Sequence, residues 1–242
     1  MQYTPNKTFV SLNGSTTMRL LAMDTATNAC SAALWEDGEI LAYRFEPMKR
    51  GQAERLVPLV QEVLEEAEAS WESLDGLTVT IGPGAFTGLR IGLATARAMA
   101  LAAAKPLVGI TTLDAVAEGV PEDERQGRNL LVVLDAKRAD AYAQLFGPDL
   151  RPLSEPVAAL PETLPSMAGD APLILAGDFA AAVAAHFDGT VPLASGDGLP
   201  DARVVARLAA AKGLPETSEP PAPLYIRPPD ATIPKNGGKL RP

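Results

Sequence analysis

The chain has 242 residues, 47% of them hydrophobic and 21% charged, so it can bury a substantial core as one large domain or two small ones. A formal net charge of -9 at pH 7 argues against an electrostatic grip on nucleic acid, which needs a basic face. One cysteine and one histidine exclude an internal disulfide, a multi-cysteine zinc site and every paired-histidine metal motif.

The N-terminal segment over residues 1–17 is polar and lacks the apolar core of a signal peptide. We interpret it as a disordered extension, or as the product of an upstream start codon with Met18 as the functional start. The apolar stretch over residues 93–113 is interrupted by two basic residues and a proline. That pattern favours a buried helix followed by a strand over a membrane span, and predicts a cytoplasmic protein.

The first half of the chain predicts an antiparallel meander followed by alternating helices and strands. Apolar runs predict the strands of the meander, with a hairpin turn at 36–39, over residues 18–24, 30–35 and 40–45. A helical period over 53–67 predicts the first helix, in which Pro58 fits only near the first turn. The remaining elements alternate as strand, helix, strand and helix, the last capped by Thr111 or Thr112, over residues 77–81, 88–104, 107–110 and 112–118.

After a polar boundary at 121–128 the opening pattern recurs, with an apolar run that ends in Asp135 as the first run ends in Asp24. A returning strand and then a strand and two helices follow, over residues 141–146, 172–176, 179–187 and 201–212. Asp178 and Asp201 are predicted caps of the two helices. The repeated order predicts an α/β fold with two ribonuclease-H-like lobes.

These elements divide the chain into an N-terminal lobe over 18–120, a C-terminal lobe over 128–213 and a proline-rich tail over 214–242. An alternative left open is that the last helix, 201–213, returns to the first lobe. The tail has eight prolines in 29 residues, so we expect it to be extended or disordered except where it docks.

The most informative motif is Ile-Gly-Pro-Gly-Ala-Phe-Thr-Gly-Leu-Arg over residues 81–90. It joins a strand to a helix, the layout that holds phosphate at a helix N-terminus in many nucleotide sites, although it matches neither a Walker loop nor a dinucleotide fingerprint. The other interpretation is a tight turn with a positive φ at Gly82 or Gly84 and a bend fixed by Pro83. Both interpretations stay open. The motif residues are Gly82, Pro83, Gly84, Phe86, Thr87, Gly88 and Arg90.

The helix after this motif has small residues every fourth position from 88 to 100. An interior glycine costs roughly 1 kcal/mol relative to alanine, so Gly92 needs a packing reason. The small-residue ridge packs on the protein's own sheet or first helix, or else the opposite stripe meets a second subunit. Both helices are apolar over more than one face, which favours an outward apolar surface and a partner. The opposite stripe comprises Leu89, Leu93, Arg97 and Leu101.

Asp24 and Asp135 suggest an alternative function as an ATP-dependent kinase or hydrolase, in which strand-end acids stand beside glycine-rich hairpins that grip phosphates. Neither turn here contains glycine, so we interpret both aspartates as turn caps and not as Mg²⁺ ligands. His186 lies at the end of an alanine-rich helix and is interpreted as solvated or capping. The sequence predicts no catalytic site and no metal site.

Several segments, in the expected order, resemble the TsaB (YeaZ-like) family: residues 20–27, 30–34, 81–92, 135–142, 177–178 and 223–227. The resemblance covers about residues 18–227. It implies the actin/Hsp70/sugar-kinase (ASKHA) type of fold. It also implies a non-catalytic subunit that supports, with TsaD and TsaE, threonylcarbamoyl transfer onto tRNAs reading codons that begin with A. In that family TsaD holds a metal with paired histidines, so a chain with one histidine is not that subunit.

The resemblance further implies that the first two long helices pack against TsaD, or against a second copy of the chain when TsaD is absent. It implies no cofactor of the chain's own, ATP or ADP only at the complex interface, and tRNA contact only through partners. Gln52 stands where the family commonly has histidine, which leaves that residue's contribution open. The implied interface residues are Glu54, Leu56, Leu59, Val60, Val63, Leu89, Leu93, Arg97 and Leu101.

Overall fold

The computed structural model describes residues 17–215 and 219–227. The predicted N-terminal extension, apart from Thr17, therefore lies outside the described residues, as do positions 216–218 and 228–242 of the predicted tail. None of the helices in the described ranges is both long and apolar enough to cross a membrane.

Among the described residues, five strands form the first sheet, in the order β3-β2-β1-β4-β5. The first three strands are an antiparallel meander, and β4 and β5 join β1 in parallel. Asp37 and Gly38 have positive φ angles of 46° and 104°, which confirms the predicted hairpin turn. The strands are β1 (Arg19–Asp24), β2 (Ala29–Glu36), β3 (Glu39–Pro47), β4 (Gly76–Thr80) and β5 (Leu107–Ile110).

Helices cover both faces of this sheet, which explains why β1, β2 and β4 are buried almost throughout. On one face lie α1 (Gln52–Glu66) and α2 (Phe86–Ala103), around a core that includes Leu21, Met23 and Val79. On the other face lie α3 (Thr112–Gly119) and α7 (Ala202–Lys212).

Pro58 is the seventh of the 15 residues of α1, because the helix begins at Gln52. The prediction that Pro58 fits only near the first turn is therefore wrong. A proline at this position cannot donate a hydrogen bond to the Glu54 carbonyl. Glu54 lies on the exposed side of the helix, where water can take the place of that donor.

The second sheet repeats the first. Within the part of the chain that the structure describes it has four strands in the order β8-β7-β6-β9, and an isolated parallel bridge from Leu175 to Leu193 stands where a fifth strand would pair. The two equivalent orders confirm the predicted α/β fold with two ribonuclease-H-like lobes. The strands are β6 (Asn129–Asp135), β7 (Ala141–Phe146), β8 (Val157–Ala159) and β9 (Leu173–Ala176).

Helix α3 lies between the two sheets, with Leu113 and Val116 packed against Leu130 and Val132 of β6. The Thr111 side chain caps this helix by accepting from the Asp114 N–H at 3.0 Å, which confirms one of its two predicted caps. Short helices complete the second half, namely α4 (Glu122–Arg125), α5 (Pro165–Ala168) and α6 (Ala180–Ala184).

Helix α7 comes late in the sequence but packs on the first sheet, through a buried stripe of Ala202, Val205, Ala206 and Ala209. The Asp201 side chain caps it by accepting from the Arg203 N–H at 2.8 Å, as predicted. By contrast, α6 is shorter than the predicted helix over 179–187, and Phe179 stands at its N-cap without a side-chain cap. The prediction that Asp178 caps this helix is wrong, because its carboxylate is bonded elsewhere.

Candidate functional site

The loop between β4 and α2 is a tight turn in which one glycine has a positive φ angle. Gly82 has a φ of 109°, and the Gly82–Pro83 peptide bond is cis. Backbone bonds anchor the turn on both sides, because the Thr112 N–H donates to the Gly82 carbonyl at 2.8 Å and the Ile81 N–H donates to the Ile110 carbonyl at 2.8 Å. The tight-turn interpretation is thus confirmed at Gly82, where a side chain would be strained.

The other glycines of the loop let it pack directly on the turn that follows β1. A Cβ placed on Gly84 or Gly88 would overlap the carbonyl oxygen of Ala26 or Thr25. The Ala85 N–H donates to the Ala26 carbonyl at 2.7 Å, and Thr25 Oγ1 donates to the Gly88 carbonyl at 2.7 Å. The N–H of Ala85, the N-cap of α2, is therefore already satisfied within the chain.

Asp24 ends β1 beneath this turn and is fully buried. Its Oδ1 accepts from the Ala26 N–H at 3.1 Å and from Thr80 Oγ1 at 2.5 Å, which confirms its predicted role as a turn cap. Its Oδ2 has no hydrogen-bond partner among the described residues. Burial raises the pKa of the Asp24 carboxyl to about 7, and the nearby negative charge of Asp201 adds to the effect.

The equivalent turn of the second lobe is capped in the same way. Asp135 Oδ1 accepts from the Lys137 N–H at 2.6 Å, and Asp135 Oδ2 pairs with Lys137 Nζ at 2.8 Å. Asp178 accepts from the Asp135 N–H at 2.9 Å and from Asn28 Nδ2 at 3.4 Å, so its carboxylate connects the turns of both lobes. Burial raises the pKa of Asp178 above its ordinary value.

A cavity of about 750 Å³ lies beside Asp178, between α3, α7 and the 193–199 segment. Its volume suits a small-molecule ligand. Arg203 stacks over the Tyr43 ring at 4.1 Å and pairs with Asp201 at 2.6 Å on its wall. The lining residues include neither histidine nor cysteine, so no nucleophile–base pair of that kind faces the cavity.

Six of the nine implied interface residues are buried in the protein's own core, with at most 3% of each residue exposed. The expectation that they lie on an outward surface is wrong, because five of these side chains belong to the core between the first sheet and helices α1 and α2. The sixth, Leu89, packs against Gly82 of the 81–90 loop. The six are Leu56, Leu59, Val60, Val63, Leu89 and Leu93.

The small-residue ridge of α2 also faces inward. A Cβ on Gly92 would lie 2.6 Å from Thr25 Oγ1, and Ala96 and Ala100 are buried against the first sheet. The packing reason for Gly92 is thus the protein's own first sheet and turn, not a second subunit.

The implied interface residues that do face outward are Glu54, Arg97 and Leu101, the last with 84% of its surface exposed. Sequence reasoning missed Val57, an exposed apolar residue on α1. A signal existed, because Val57 stands out of phase with the buried stripe of that helix.

The first turn of α2 carries an exposed aromatic group. The Arg90 guanidinium lies 3.4 Å from the Phe86 ring centre, and the Tyr225 ring lies 6.1 Å from it. Thr87 is exposed in the same turn, whereas Pro83 is buried. Sequence reasoning did not predict that Tyr225, from the tail, would meet this turn, because nothing in a local pattern reports a contact across 139 positions.

Metal binding finds no support in the side chains. Over residues 17–215 and 219–227, no group of three or more histidine, cysteine, aspartate or glutamate residues could hold a metal ion. His186 is exposed on the second lobe, just after the end of α6.

Two lobes with the same sheet order, joined at aspartate-capped turns, define a protein of the ASKHA class. A family model described as "TsaD: tRNA N6-adenosine threonylcarbamoyltransferase" matches residues 46–165. The Mycobacterium tuberculosis protein Rv3421c, described as uncharacterized, is 35% identical over 214 residues, which is 88% of this chain and 93% of that protein. The structure of YeaZ from Pseudomonas aeruginosa has a TM-score of 0.74 at 28% identity, over 86% of this chain and 99% of that one.

The "tRNA threonylcarbamoyladenosine biosynthesis protein TsaB" of Escherichia coli K12 is 41% identical over 125 residues. That match covers 52% of this chain and 53% of the relative, so it spans about half the length of each. The chain belongs to the TsaB (YeaZ-like) family.

Proposed function

We propose that the protein is a non-catalytic subunit in the formation of N6-threonylcarbamoyladenosine in tRNAs reading codons that begin with A. It acts by dimerising with TsaD and, with TsaD, recruiting TsaE. Relatives named for threonylcarbamoyladenosine biosynthesis and the TsaD-described family model support the pathway. In this proposal tRNA is bound only indirectly, in keeping with a formal charge of -9.

The observation that carries the non-catalytic assignment is how the glycines of the 81–90 loop are used. Gly84 and Gly88 let the loop pack against the carbonyl oxygens of Ala26 and Thr25. Two carbonyl oxygens of the chain itself, and not a phosphate group, are therefore what these glycines make room for at this turn. What the loop does instead is to fix the start of α2 on the first sheet, and thereby the direction of its outer face.

That outer face, together with the outer face of α1, is the surface we propose for TsaD, or for a second copy of the chain when TsaD is absent. Leu101 and Val57 are exposed apolar side chains on these helices, and Glu54 and Arg97 supply opposite charges beside them. An apolar centre with a charged rim is typical of protein–protein interfaces. ATP or ADP belongs to the proposal only as a ligand at that interface.

The test is co-expression with TsaD followed by size-exclusion chromatography. A glutamate in place of Leu101 should abolish co-elution, because burying an unpaired charge in an interface costs several kcal/mol. The matched control is Leu153→Glu, an exposed leucine of the second lobe with 55% of its surface accessible, which should co-elute like the wild type. Unchanged co-elution of Leu101→Glu would refute this choice of surface.

A second candidate function, an ATP-dependent kinase or hydrolase, is favoured only by the 750 Å³ cavity beside Asp178. In that function the isolated chain would bind and turn over nucleotide. The two candidates therefore predict opposite results for nucleotide binding and turnover by the chain without its partners.

A further inference from the structure

Residues 219–227, which we name the tail strap, cross the 81–90 loop and continue to the second lobe. The Leu224 N–H donates to the Ile81 carbonyl at 2.7 Å, at the end of β4. Arg97 of α2 donates from Nη2 to the Pro221 carbonyl at 2.6 Å. The tail strap is thus hydrogen-bonded to the first lobe at successive points.

Two glycines of the first lobe let this segment approach closely. A Cβ on Gly82 would lie 2.9 Å from the Leu224 carbonyl oxygen, and a Cβ on Gly109 would lie 2.8 Å from Pro221 Cβ. Gly109 lies within β5, where a glycine weakens a strand and needs a reason such as the close approach of another segment. Ile81 and Pro221 both approach it, so the strap accounts for part of that reason.

At its far end the tail strap is attached to the second lobe. Ile226 packs against the hydrophobic cluster that α3 shares with β6 and β7. The Arg227 guanidinium pairs with the Asp140 carboxylate, in the turn between β6 and β7, with 22% and 21% of these side chains exposed. Removing one member of such a half-buried pair leaves the other without its counter-charge.

We propose that the tail strap is a latch between the lobes, closed by the Arg227–Asp140 pair. It ties the 81–90 loop of the first lobe to the β6–β7 turn of the second, across the cleft where Asn28 meets Asp178. With the latch released, the lobes are held by the chain connections, by the packing of α3 and by the Asn28–Asp178 hydrogen bond, and their separation varies more widely. The latch belongs to the isolated chain, so it stands or falls independently of the proposed function.

The first measurement is amide hydrogen exchange of the full chain, read at Leu224 and at the neighbouring tail amides. Arg227→Gln and Asp140→Asn should each speed exchange about fivefold, the effect of losing a partly exposed ion pair. The charge-swapped variant, Arg227→Asp with Asp140→Arg, should restore slow exchange. The control is Arg151→Gln, which removes an ion pair with Asp149 that is 84% and 60% exposed, and should leave the tail unchanged.

The second measurement distinguishes a latch between the lobes from a segment that binds the first lobe without restraining the second. Spin labels on cysteines at Leu41 and Leu160, exposed positions of the first and second lobe, report the distance between lobes. Cys30 is buried and stays unlabelled. Arg227→Gln should broaden the distance distribution, and the charge swap should narrow it again. Slow tail exchange in Arg227→Gln, or fast exchange with an unaltered distance distribution, would overturn the proposal.

Discussion

The carboxyl group of Asp24 is buried, and its two oxygens differ in their hydrogen bonds. One oxygen accepts from Ala26 and Thr80, and the other has no partner among the described residues. With a pKa of about 7 in the folded protein against an ordinary value of 3.8, the Asp24 carboxyl takes up a proton on folding between about pH 4 and pH 7. The free energy of unfolding therefore falls as pH rises through that window, by ~1.4 kcal/mol for each pH unit.

Replacing Asp24 with asparagine should remove this loss, because an amide keeps the shape of the side chain without its charge. We expect the free energy of unfolding of Asp24→Asn to exceed that of the wild type by about 4 kcal/mol at pH 8, and by less than half of that at pH 5. Urea unfolding at pH 5, 6, 7 and 8 measures both. Asp149→Asn, at an exposed carboxylate, should follow the wild-type profile, and an Asp24→Asn profile parallel to it would contradict the prediction.

At the scale of elements, the start of α2 depends on a glycine that has no room for a side chain. A Cβ on Gly88 would overlap the Thr25 carbonyl oxygen, which belongs to a buried turn and cannot move as a flexible side chain would. Gly119, at the end of α3, offers the comparison within one chain, because nothing lies within 4 Å of the position of its Cβ.

Gly88→Ala should lower the free energy of unfolding by about 3 kcal/mol, a cost in the range seen when a packed core is overfilled. Gly119→Ala should leave it unchanged or raise it by up to about 1 kcal/mol, because alanine restricts the unfolded chain and fits a helix. Thermal or urea unfolding of the two variants side by side gives the answer. Equal stabilities would show that the loop can move away from the turn after β1.

Helix α1 shows which features of a helix a sequence pattern can predict and which it cannot. The helical period located its apolar stripe, and the structure buries Leu56, Leu59 and Val63 in that phase. A period does not say what covers a stripe. The family resemblance implies a partner for these residues, but they pack on their own sheet. The repeated order of strands in the two lobes was predictable because apolar runs, strand-end aspartates and turn residues recur in both halves of the sequence.

The tail strap and Asp178 show what a local pattern cannot supply. Pro221 meets Arg97 across 124 positions, and Asn28 meets Asp178 across 150, and neither contact leaves a trace in its own neighbourhood. Asp178 stands one position before Phe179 in a place that suits a helix cap, yet its carboxylate bonds to the turn of Asp135 instead. Local propensity was overruled there by contacts between the lobes.

For the whole molecule, the same sheet order occurs twice and the turns of both lobes face one another at Asn28 and Asp178. In the first lobe the carboxylate of Asp24 is used within its own turn. In the second, Asp135 is paired with Lys137. The hydrogen bonds and the ion pair of these aspartates are therefore made within the chain. This is the physical basis for expecting a chain that works through partners.

The intact chain can be tested without its partners. Isothermal titration with ATP and Mg²⁺ should give no micromolar binding, and phosphate release should stay at the level of a no-protein blank, because neither aspartate-capped turn contains a glycine to close around phosphates. Repeating the titration with the TsaD complex serves as the positive control, since the proposal places ATP or ADP at that interface. Micromolar binding with turnover by the chain alone would replace the subunit proposal with the kinase or hydrolase alternative, and the 750 Å³ cavity beside Asp178 would then be the place to map the nucleotide.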